Sequence, residues 1–471
     1  MTTSSPTSRY DVIIVGAGIS GAFIAQELTR EGRRCLMLEA GQHYERHAYP
    51  RNDLDGNAQL YWSGGLELSR DARLVFLRPK VVGGGSVVNQ ALVDRFDEEA
   101  FGAWRAASGI TDFSVEDMAP WYDRAEADIS IQTIPAEARN RNAQIFQEGF
   151  EKLGYQLAPL RRAQKDCHYG DGNCCIECLN GCRIGSKQSM PETVLKTALE
   201  HGLTLRSGIE VTAVTGTDGD WQVHGTDAAG QSVLAGCTTL VLAAGAIGNT
   251  RLLLSSGFGK KLPALGKGFY CHPQYMNFGI YDEPVNAHLG AFQAFKSDDP
   301  GFRKDGFKLE NVYAGPAAIA LLVSGFGRDH HRFMERLSHF ACIEVCTRDT
   351  APGRIRLSRS GQTIIDKSIN AEDAARYRRG AAVIDDIFRA TGAREIVHGA
   401  VGIGLHLMGG CAIGADSGAS VVDPDFRLHG HRRIFAADSS IFPNAPGINP
   451  SLTIMALAKK AAHSIQRNAS S

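Results

Sequence analysis

The stretch from Asp11 to Gly41, DVIIVGAGISGAFIAQELTREGRRCLMLEAG, leaves this chain few folds to choose from. Val12 to Val15 read as a short buried parallel strand that runs straight into Gly16-Ala17-Gly18-Ile19-Ser20-Gly21, a GxGxxG. Each glycine has its own physical reason: Gly16 makes the tight strand-to-helix turn, Gly18 lets backbone approach a pyrophosphate, and Gly21 lets the helix lie close on the strand. Free N–H groups and the dipole at the helix start suit phosphates. The helix is expected to run to about Glu31, with Gly32 as its stop. A second strand, Arg34 to Leu38, delivers Glu39, 23 positions after Gly16 and placed to accept hydrogen bonds from a ribose. Strand, helix, second strand and acid in register make a dinucleotide site, but they do not separate FAD from NAD.

The rest of the chain must complete a sheet around this unit. Its 471 residues carry 50 basic and 51 acidic side chains, and no dense basic run points to nucleic acid or an anionic membrane. The segment RDHHRFMER, Arg328 to Arg336, reads as a solvated helix face. No apolar run approaches a membrane span. The N-terminal MTTSSPTSR lacks a signal h-region or twin arginine, so the expected address is cytoplasmic, with export alongside a signal-bearing partner left open.

In Leu77 to Asn89, LRPKVVGGGSVVN, three successive glycines argue against a regular helix and for a second close approach of backbone to a flat ligand. Asp112 to Ile129 reads as helical, as does Pro191 to Glu200. Strands are expected at Thr204 to Leu205 and Glu210 to Thr215, then a turn at Asp218-Gly219 and an alternating strand from Trp221 to His224. LVLAAGAIG, Leu240 to Gly248, reads as a buried strand ending in a glycine turn before a helix from Thr250 to Ser255. Between about His272 and Val397 glycine motifs thin out and short strands alternate with helices. The clearest helix there is Ala371 to Thr391, with Asn370 as cap, Tyr377, Ala381, Ile384 and Phe388 along one face, and Gly392 as stop. Near the C-terminus a strand from Ile434 to Ala437 ends at Asp438, and Asn449-Pro450-Ser451 precedes an apolar helix whose N-terminus would offer free N–H groups to a ligand.

Taken together, GAGISG with Glu39, GGGSVVN, GCRIGSKQS, LAAGAIGNTRLLLSSG, LGKGFYCHP, and HLMGGCAIG through GINPSLTI resemble, in order and over nearly the full length, the glucose-methanol-choline (GMC) oxidoreductases. Within that family CTRDTAPGRIRLSRSG, HLMGG and GINPS look like the long-chain alcohol oxidase and cholesterol oxidase branches. The resemblance implies an α/β fold in which a glutathione-reductase-like FAD-binding Rossmann domain (1–105, 166–275 and 398–471) is interleaved with an α+β substrate-binding domain (106–165 and 276–397), an antiparallel sheet covered by helices. It implies FAD as cofactor and an alcohol as the small-molecule substrate, oxidised by hydride transfer to the flavin. FAD would lie against Gly16, Gly18, Ile19, Ser20, Gly21, Glu39 and Ala40, against Gly84, Gly85, Ser86 and Asn89, and against Val211, Ala244, Gly245, Asp438, Ser439, Asn449, Pro450 and Ser451.

By the same similarity His406 is the general base or hydrogen-bond partner of the alcohol, and Asn449 stands where other members use histidine. The residue types make chemical sense, since hydride leaves an alcohol carbon readily only as the hydroxyl proton is removed, and an imidazole with a pKa near 6.5 can take it. Asn449 can donate to a developing alkoxide but cannot act as a base. His272 is expected to be structural packing near the flavin, and His429 and His431 to be surface residues. Phe292, Phe295, Phe326 and Phe340 mildly favour a hydrophobic or aromatic alcohol, although core is the commoner fate of phenylalanine. An FAD-dependent sugar dehydrogenase subunit of a heteromer, a hydroxynitrile lyase and a non-catalytic flavin subunit remain as alternatives.

Five cysteines fall between Cys167 and Cys182. Many bacterial relatives carry CxxCGxCxxGC here with no metal, whereas this chain has Gly172 at the first position and an adjacent pair, Cys174-Cys175. Such a pair looks like sugar dehydrogenases that bind a [3Fe-4S] cluster, although their third cysteine lies further on. Thiolates are suitable soft ligands, so Cys174, Cys175 and Cys178 are the favoured set, with an accessory electron-transfer subunit as the implied partner. Free thiols, and zinc or disulfides, stay open beside it.

Overall fold

The structure is a computed structural model that describes residues 9–169 and 174–469. The opening unit forms as its residues dictate. Strand β1 (Arg9–Val15) feeds helix α1 (Ile19–Arg30), which ends at Gly32 with φ 77°, and β2 (Cys35–Leu38) returns parallel to β1. Outside β2 lies β3 (Thr204–Arg206), also parallel. On the other side the antiparallel hairpin of β4 (Ile209–Thr217) and β5 (Asp220–Asp227), turned at Gly219 with φ 86°, leads into β6 (Ser232–Leu242), which runs parallel to β1. Ile434–Ala436 pairs parallel with the end of β6. The sheet order is therefore β3-β2-β1-β6-β5-β4. The C-terminal helix Ser451–Ala469 packs on α1, and buried Lys459 ties the two by reaching Gln26 and Glu27.

A second sheet is built on β7 (Lys267–Ile280), β8 (Phe307–Asn311), β9 (Phe340–Thr347) and β10 (Gly402–Gly409). β7 pairs antiparallel with β9 and with β10, and β8 with β9. Leu74–Phe76 joins parallel to β10 and Leu157–Pro159 closes the far edge through Phe295–Ser297. Helices Arg141–Leu153 and Ala371–Ala390 cover one face of this sheet. The latter is capped by the Asn370 side chain on the Asp373 N–H at 2.7 Å, and it buries Ala381, Ile384 and Phe388. A Rossmann-type sheet and a mostly antiparallel sheet covered by helices are thus both present. Among the described residues no helix is long and apolar enough to cross a membrane.

Several elements differ from the sequence reading. LVLAAGAIG is not strand to its end: β6 stops at Leu242 and Gly245 already opens a helix, Gly245–Ser255. Gly83 and Gly84 turn with positive φ, yet Gly85 begins a single helical turn, Gly85–Val88. His429 and His431 are half-buried, the first held by Ser420 Oγ at 2.8 Å and the second packed on Trp221 and Phe258. Phe292, Phe295 and Phe340 are core, and Phe326 is 91% exposed. The helix over Gly327–Met334 is solvated as read, with no buried residue.

Candidate active site

A cavity of about 500 Å³ is lined by residues of both sheets. On its nucleotide side two glycine turns meet. Gly16 has φ 106°, and a Cβ there would lie 2.3 Å from the Ala243 carbonyl oxygen; a Cβ on Gly21 would lie 2.1 Å from the Gly16 oxygen. These two glycines allow α1 to close on the sheet. Gly18 is different, since nothing lies within 4 Å of its Cβ position except open cavity, while Gly84 presses from the side with its Cβ position 2.8 Å from the Gly18 Cα. No side chain caps the N-terminus of α1, its first turn holds no acid, and buried Ser20 Oγ has no hydrogen-bond partner. Free N–H groups, an orphan hydroxyl and an unfilled approach to Gly18 fit a pyrophosphate. At the end of β2 the Glu39 carboxylate accepts from the Ala17 and Gly41 N–H groups, both at 2.8 Å. Burial pushes it above the usual carboxylate range. Asp438, likewise raised by burial, accepts from the Gly245 N–H at 2.7 Å and Asn249 Nδ2 at 2.9 Å, so it clamps the turn after β6.

Of the residues expected at the cofactor, Gly16, Gly18, Ile19, Ser20, Glu39, Ala40, Gly84, Gly85, Asn89, Val211, Ala244, Gly245, Asp438, Ser439, Asn449, Pro450 and Ser451 line the cavity. Gly21 and Ser86 do not. Gly21 is spent on helix–strand contact, and Ser86 Oγ donates to the Gly83 carbonyl and accepts the Met190 N–H, holding the glycine turn from behind.

Across the cavity the β7–β10 pairing contains a bulge. Tyr270 faces Met408 but His272 faces Leu405, so β10 carries an extra residue at this point. His406 takes the left-handed backbone, φ 52°, which re-aims its ring. Its Nδ1 lies 2.9 Å from His272 Nδ1, and His272 Nε2 accepts the Gly447 N–H at 3.0 Å. His272 is therefore more than packing. A neutral His272 that accepts at Nε2 must carry its hydrogen on Nδ1 and donate it to His406 Nδ1, which leaves the His406 hydrogen on Nε2, the ring nitrogen free for a ligand. Both rings are held neutral: burial pulls His406 down to about 3, helped by the positive charge of Lys308, and burial pulls His272 well below its ordinary value.

Asn449 sits on a loop pinned from the second sheet's side. Arg303 donates to the Pro446 carbonyl at 2.8 Å, His272 takes the Gly447 N–H, and Lys308 Nζ donates to Asn449 Oδ1. Because an ammonium only donates, the Asn449 Nδ2 donors are left for the cavity. Lys308 in turn is ion-paired with Glu310. Burial alone would lower Lys308, but Glu310 and then Asp94 hold it above its ordinary value. Glu310, Glu344, Gln274 and Gln293 complete this wall.

That cluster was not read from the sequence. Two signals were there: Lys308 and Glu310 alternate in FKLEN, and Glu344 stands alone in the apolar ACIEVCT, where an acid must be accounted for.

In the cysteine segment the Cys174 side chain lies outside the described residues, while Cys175, Cys178 and Cys182 are buried. The Cys178 thiol donates to Cys182, which with the Lys187 N–H pulls Cys182 down to about 5. Lys187 Nζ donates to the carbonyls of Val87, Asn89 and Cys178, tying this segment to the second glycine turn. Among the described residues the one trio of histidine, cysteine or acid atoms mutually within 4.8 Å is His272, Cys346 and His406, which we read as the histidine pair with a thiol neighbour.

Set beside known proteins, residues 57–274 and 349–458 match the N- and C-terminal models of the GMC oxidoreductase family, and residues 14–68 match an NAD(P)-binding Rossmann-like domain. This chain belongs to the GMC oxidoreductases, a flavoprotein family. It is 28% identical to an uncharacterised GMC-type oxidoreductase of Mycobacterium tuberculosis over 97% of this chain and 76% of that one. It is 25% identical to a long-chain-alcohol oxidase of Arabidopsis thaliana over 96% of this chain and 66% of that one. The fold is shared with a formate oxidase of Aspergillus oryzae studied for its FAD modification, at a TM-score of 0.73 and 14% identity, covering 98% and 99% of the two chains.

Proposed function

We propose that this protein oxidises an alcohol to an aldehyde or ketone with FAD as its cofactor. The observation that carries the reading is the meeting of His406, on its bulge, with Asn449, held by Lys308, across one cavity from the paired glycine turns. FAD supplies, when bound, the acceptor for the hydride that leaves the carbinol carbon. Gly18, Ser20, Gly84 and the free N–H groups of α1 would hold its phosphates, and Glu39 its ribose. Asn449 Nδ2 donates to the alcohol oxygen and orients it.

His406 is assigned the hydroxyl proton, and the hydrogen-bond polarity sets a condition on that step. Nε2 can accept only in the tautomer in which His406 Nδ1–H donates to His272 Nδ1 and His272 carries its hydrogen on Nε2, which requires the Gly447 contact to open. In the tautomer described above, His406 Nε2–H and Asn449 Nδ2–H are instead two donors to the alcohol oxygen, and they stabilise negative charge as it develops there. The pair can serve both roles in turn.

Electrons then pass to O2 or to an external acceptor. Were a [3Fe-4S] cluster held by Cys174, Cys175 and Cys178, it would supply a path to an accessory electron-transfer subunit. Iron and acid-labile sulfide analysis of protein purified without oxygen decides it, since stoichiometric iron supports the cluster and its absence removes it. The main reading is tested by anaerobic titration of the holoprotein with alcohols. Bleaching of the flavin is expected, and a flavin untouched by every alcohol would turn the reading towards a lyase or a non-catalytic subunit.

A further inference from the structure

The cavity wall beyond the His406–Asn449 pair holds polar groups that the protein leaves without partners. Cross-strand register sets the arrangement: Lys308 on β8 and Gln274 on β7 both lie opposite Cys346 of β9, and Glu310 and Met276 both lie opposite Glu344. Residues two apart on a strand share a face, so these side chains stand on one surface, of which Gln274, Met276, Glu310 and Glu344 line the cavity. Lys308 and Glu310 are provided for, through their ion pair, the Asn449 amide, and a hydrogen bond from Gln293 Nε2 to Glu310 Oε2 at 2.8 Å.

Glu344 and Gln274 are not provided for. Gln274 Oε1 is buried without a donor among the described residues, and the buried Glu344 side chain lines the cavity. Gln274 Oε1 can only accept, and Glu344, pushed up by burial, has no cation of its own should it ionise, because Lys308 is already paired with Glu310 and the Asn449 amide. A buried carboxyl ionises only beside a cation and donors, so one positive, donating group here would both ionise Glu344 and meet Gln274 Oε1.

We propose that the substrate is an amino alcohol whose ammonium group pairs with Glu344 and donates to Gln274 Oε1 while its hydroxyl lies between His406 and Asn449. The inference rests on the alcohol-oxidation reading and names its substrate class. Spacing supports it. Cys346 Sγ lies within 4.8 Å of the ring nitrogens of His272 and His406, and Glu344 is two residues further along β9, roughly 7 Å on. That separation suits an amine about four to six atoms from the carbinol carbon. Without that cation Glu344 stays largely protonated near neutral pH, since burial and then the nearby Glu310 push it up to about 8, against the pull of Lys308. Facing it are Glu310 and Lys308 from β8, Gln274 and Met276 from β7, and Cys346 of its own strand. A bound ammonium would let Glu344 ionise. A neutral polyol could meet the acceptors but not the charge.

The test is anaerobic flavin reduction of the holoenzyme by 5-aminopentan-1-ol, pentane-1,5-diol and hexan-1-ol, with pentan-1-amine as a non-oxidisable probe followed by perturbation of the flavin spectrum. The amino alcohol should exceed both neutral alcohols in kcat/KM by roughly 10- to 100-fold, as a charge-assisted hydrogen bond allows. In Glu344→Gln with its flavin retained, that ratio should fall to near one, chiefly through KM, and pentan-1-amine should no longer perturb the spectrum. Glu344→Asp, which keeps the charge, should recover part of the ratio. Neutral alcohols reducing the flavin as well as or better than the amino alcohol would overturn the inference and leave alcohol oxidation standing, as would a preference that survives Glu344→Gln. Amine binding that depends on Glu344, with no alcohol reducing the flavin, would uphold the cation site and overturn the alcohol reading instead. No response to either amine or alcohol would overturn both.

Discussion

The two walls of the cavity are built on opposite principles. On the side proposed for the nucleotide the wall is shaped by backbone: Gly16 and Gly21 remove side chains so that α1 can close on the sheet, and Gly18 leaves open space. On the substrate side recognition is made of side chains from β7, β8, β9 and β10, brought together by register, with His406 aimed by a bulge. The first wall is pieced together from short contiguous motifs, such as those at Gly16, Gly84, Ala244 and Asp438, and tolerates no added atom at its packing glycines. The second is assembled from residues far apart in the chain, and its polar groups depend on one another for charge and donors.

The largest effects come from the glycines, and they split by position. Gly21→Val should cost about 4 kcal/mol or more, because its Cβ alone would sit 2.1 Å from the Gly16 oxygen. Urea denaturation reads this directly. Gly18→Ala should fold like the parent, since its Cβ meets nothing within 4 Å, yet lose FAD affinity by at least ~10-fold as the methyl enters the pyrophosphate approach. Equal destabilisation by the two variants would break the distinction between packing and binding glycines. On the other wall His406→Ala should keep FAD and slow flavin reduction by ~100-fold or more in stopped-flow. A variant reducing its flavin at the parental rate would remove His406 from the chemistry.

The same contrast explains what the sequence could disclose. GAGISG, Glu39, GGGSVVN and GINPS are contiguous, and each states a backbone requirement, so β1, α1, β2 and the nucleotide wall were legible residue by residue. Even there Gly21 and Ser86 proved to support the wall from behind, because a motif does not say which of its members face the ligand. His406 and Asn449 were named through their surrounding blocks, and both line the cavity. His272 was underrated because its role lies in one Nδ1 contact across a bulge, and a bulge leaves no mark in a hydrophobic pattern. Lys308, Glu310 and Glu344 were missed because which charges meet is set by register between β8 and β9. Of the phenylalanines that mildly favoured an apolar substrate, Phe292, Phe295 and Phe340 took the commoner fate of core, where apolar burial favours them, and Phe326 is exposed.

Lys308 offers a smaller, sharper test of how the substrate wall holds together. Lys308→Met should leave Glu310 buried without its cation and Asn449 without its anchor, costing about 3 kcal/mol of stability. Flavin reduction should also slow by roughly 10-fold as the Asn449 amide loses its orientation. The double variant Lys308→Met/Glu310→Gln, which removes both charges, should regain most of the stability but not the rate. If it regains both, Lys308 serves only to neutralise Glu310.

The smallest expected effect is on stability against pH, and its sign differs between groups of this wall. His272 and His406 are neutral in the folded protein but near 6.5 in the unfolded chain, so below pH 6.5 the unfolded state takes up protons the folded state refuses. Each therefore removes up to about 1.4 kcal/mol per pH unit as pH falls below that point. Glu344 acts the other way, because its folded value of about 8 lies above the unfolded carboxyl, so stability is lost as pH rises from about 4.5 to 8. Thermal melts across pH 5 to 8.5 should accordingly show His272→Gln losing less stability than the parent between pH 6.5 and 5. Glu344→Gln should lose less between pH 6.5 and 8. Parallel curves for parent and both variants would mean that these groups titrate as they do in water, and that the wall is wetter than its burial indicates.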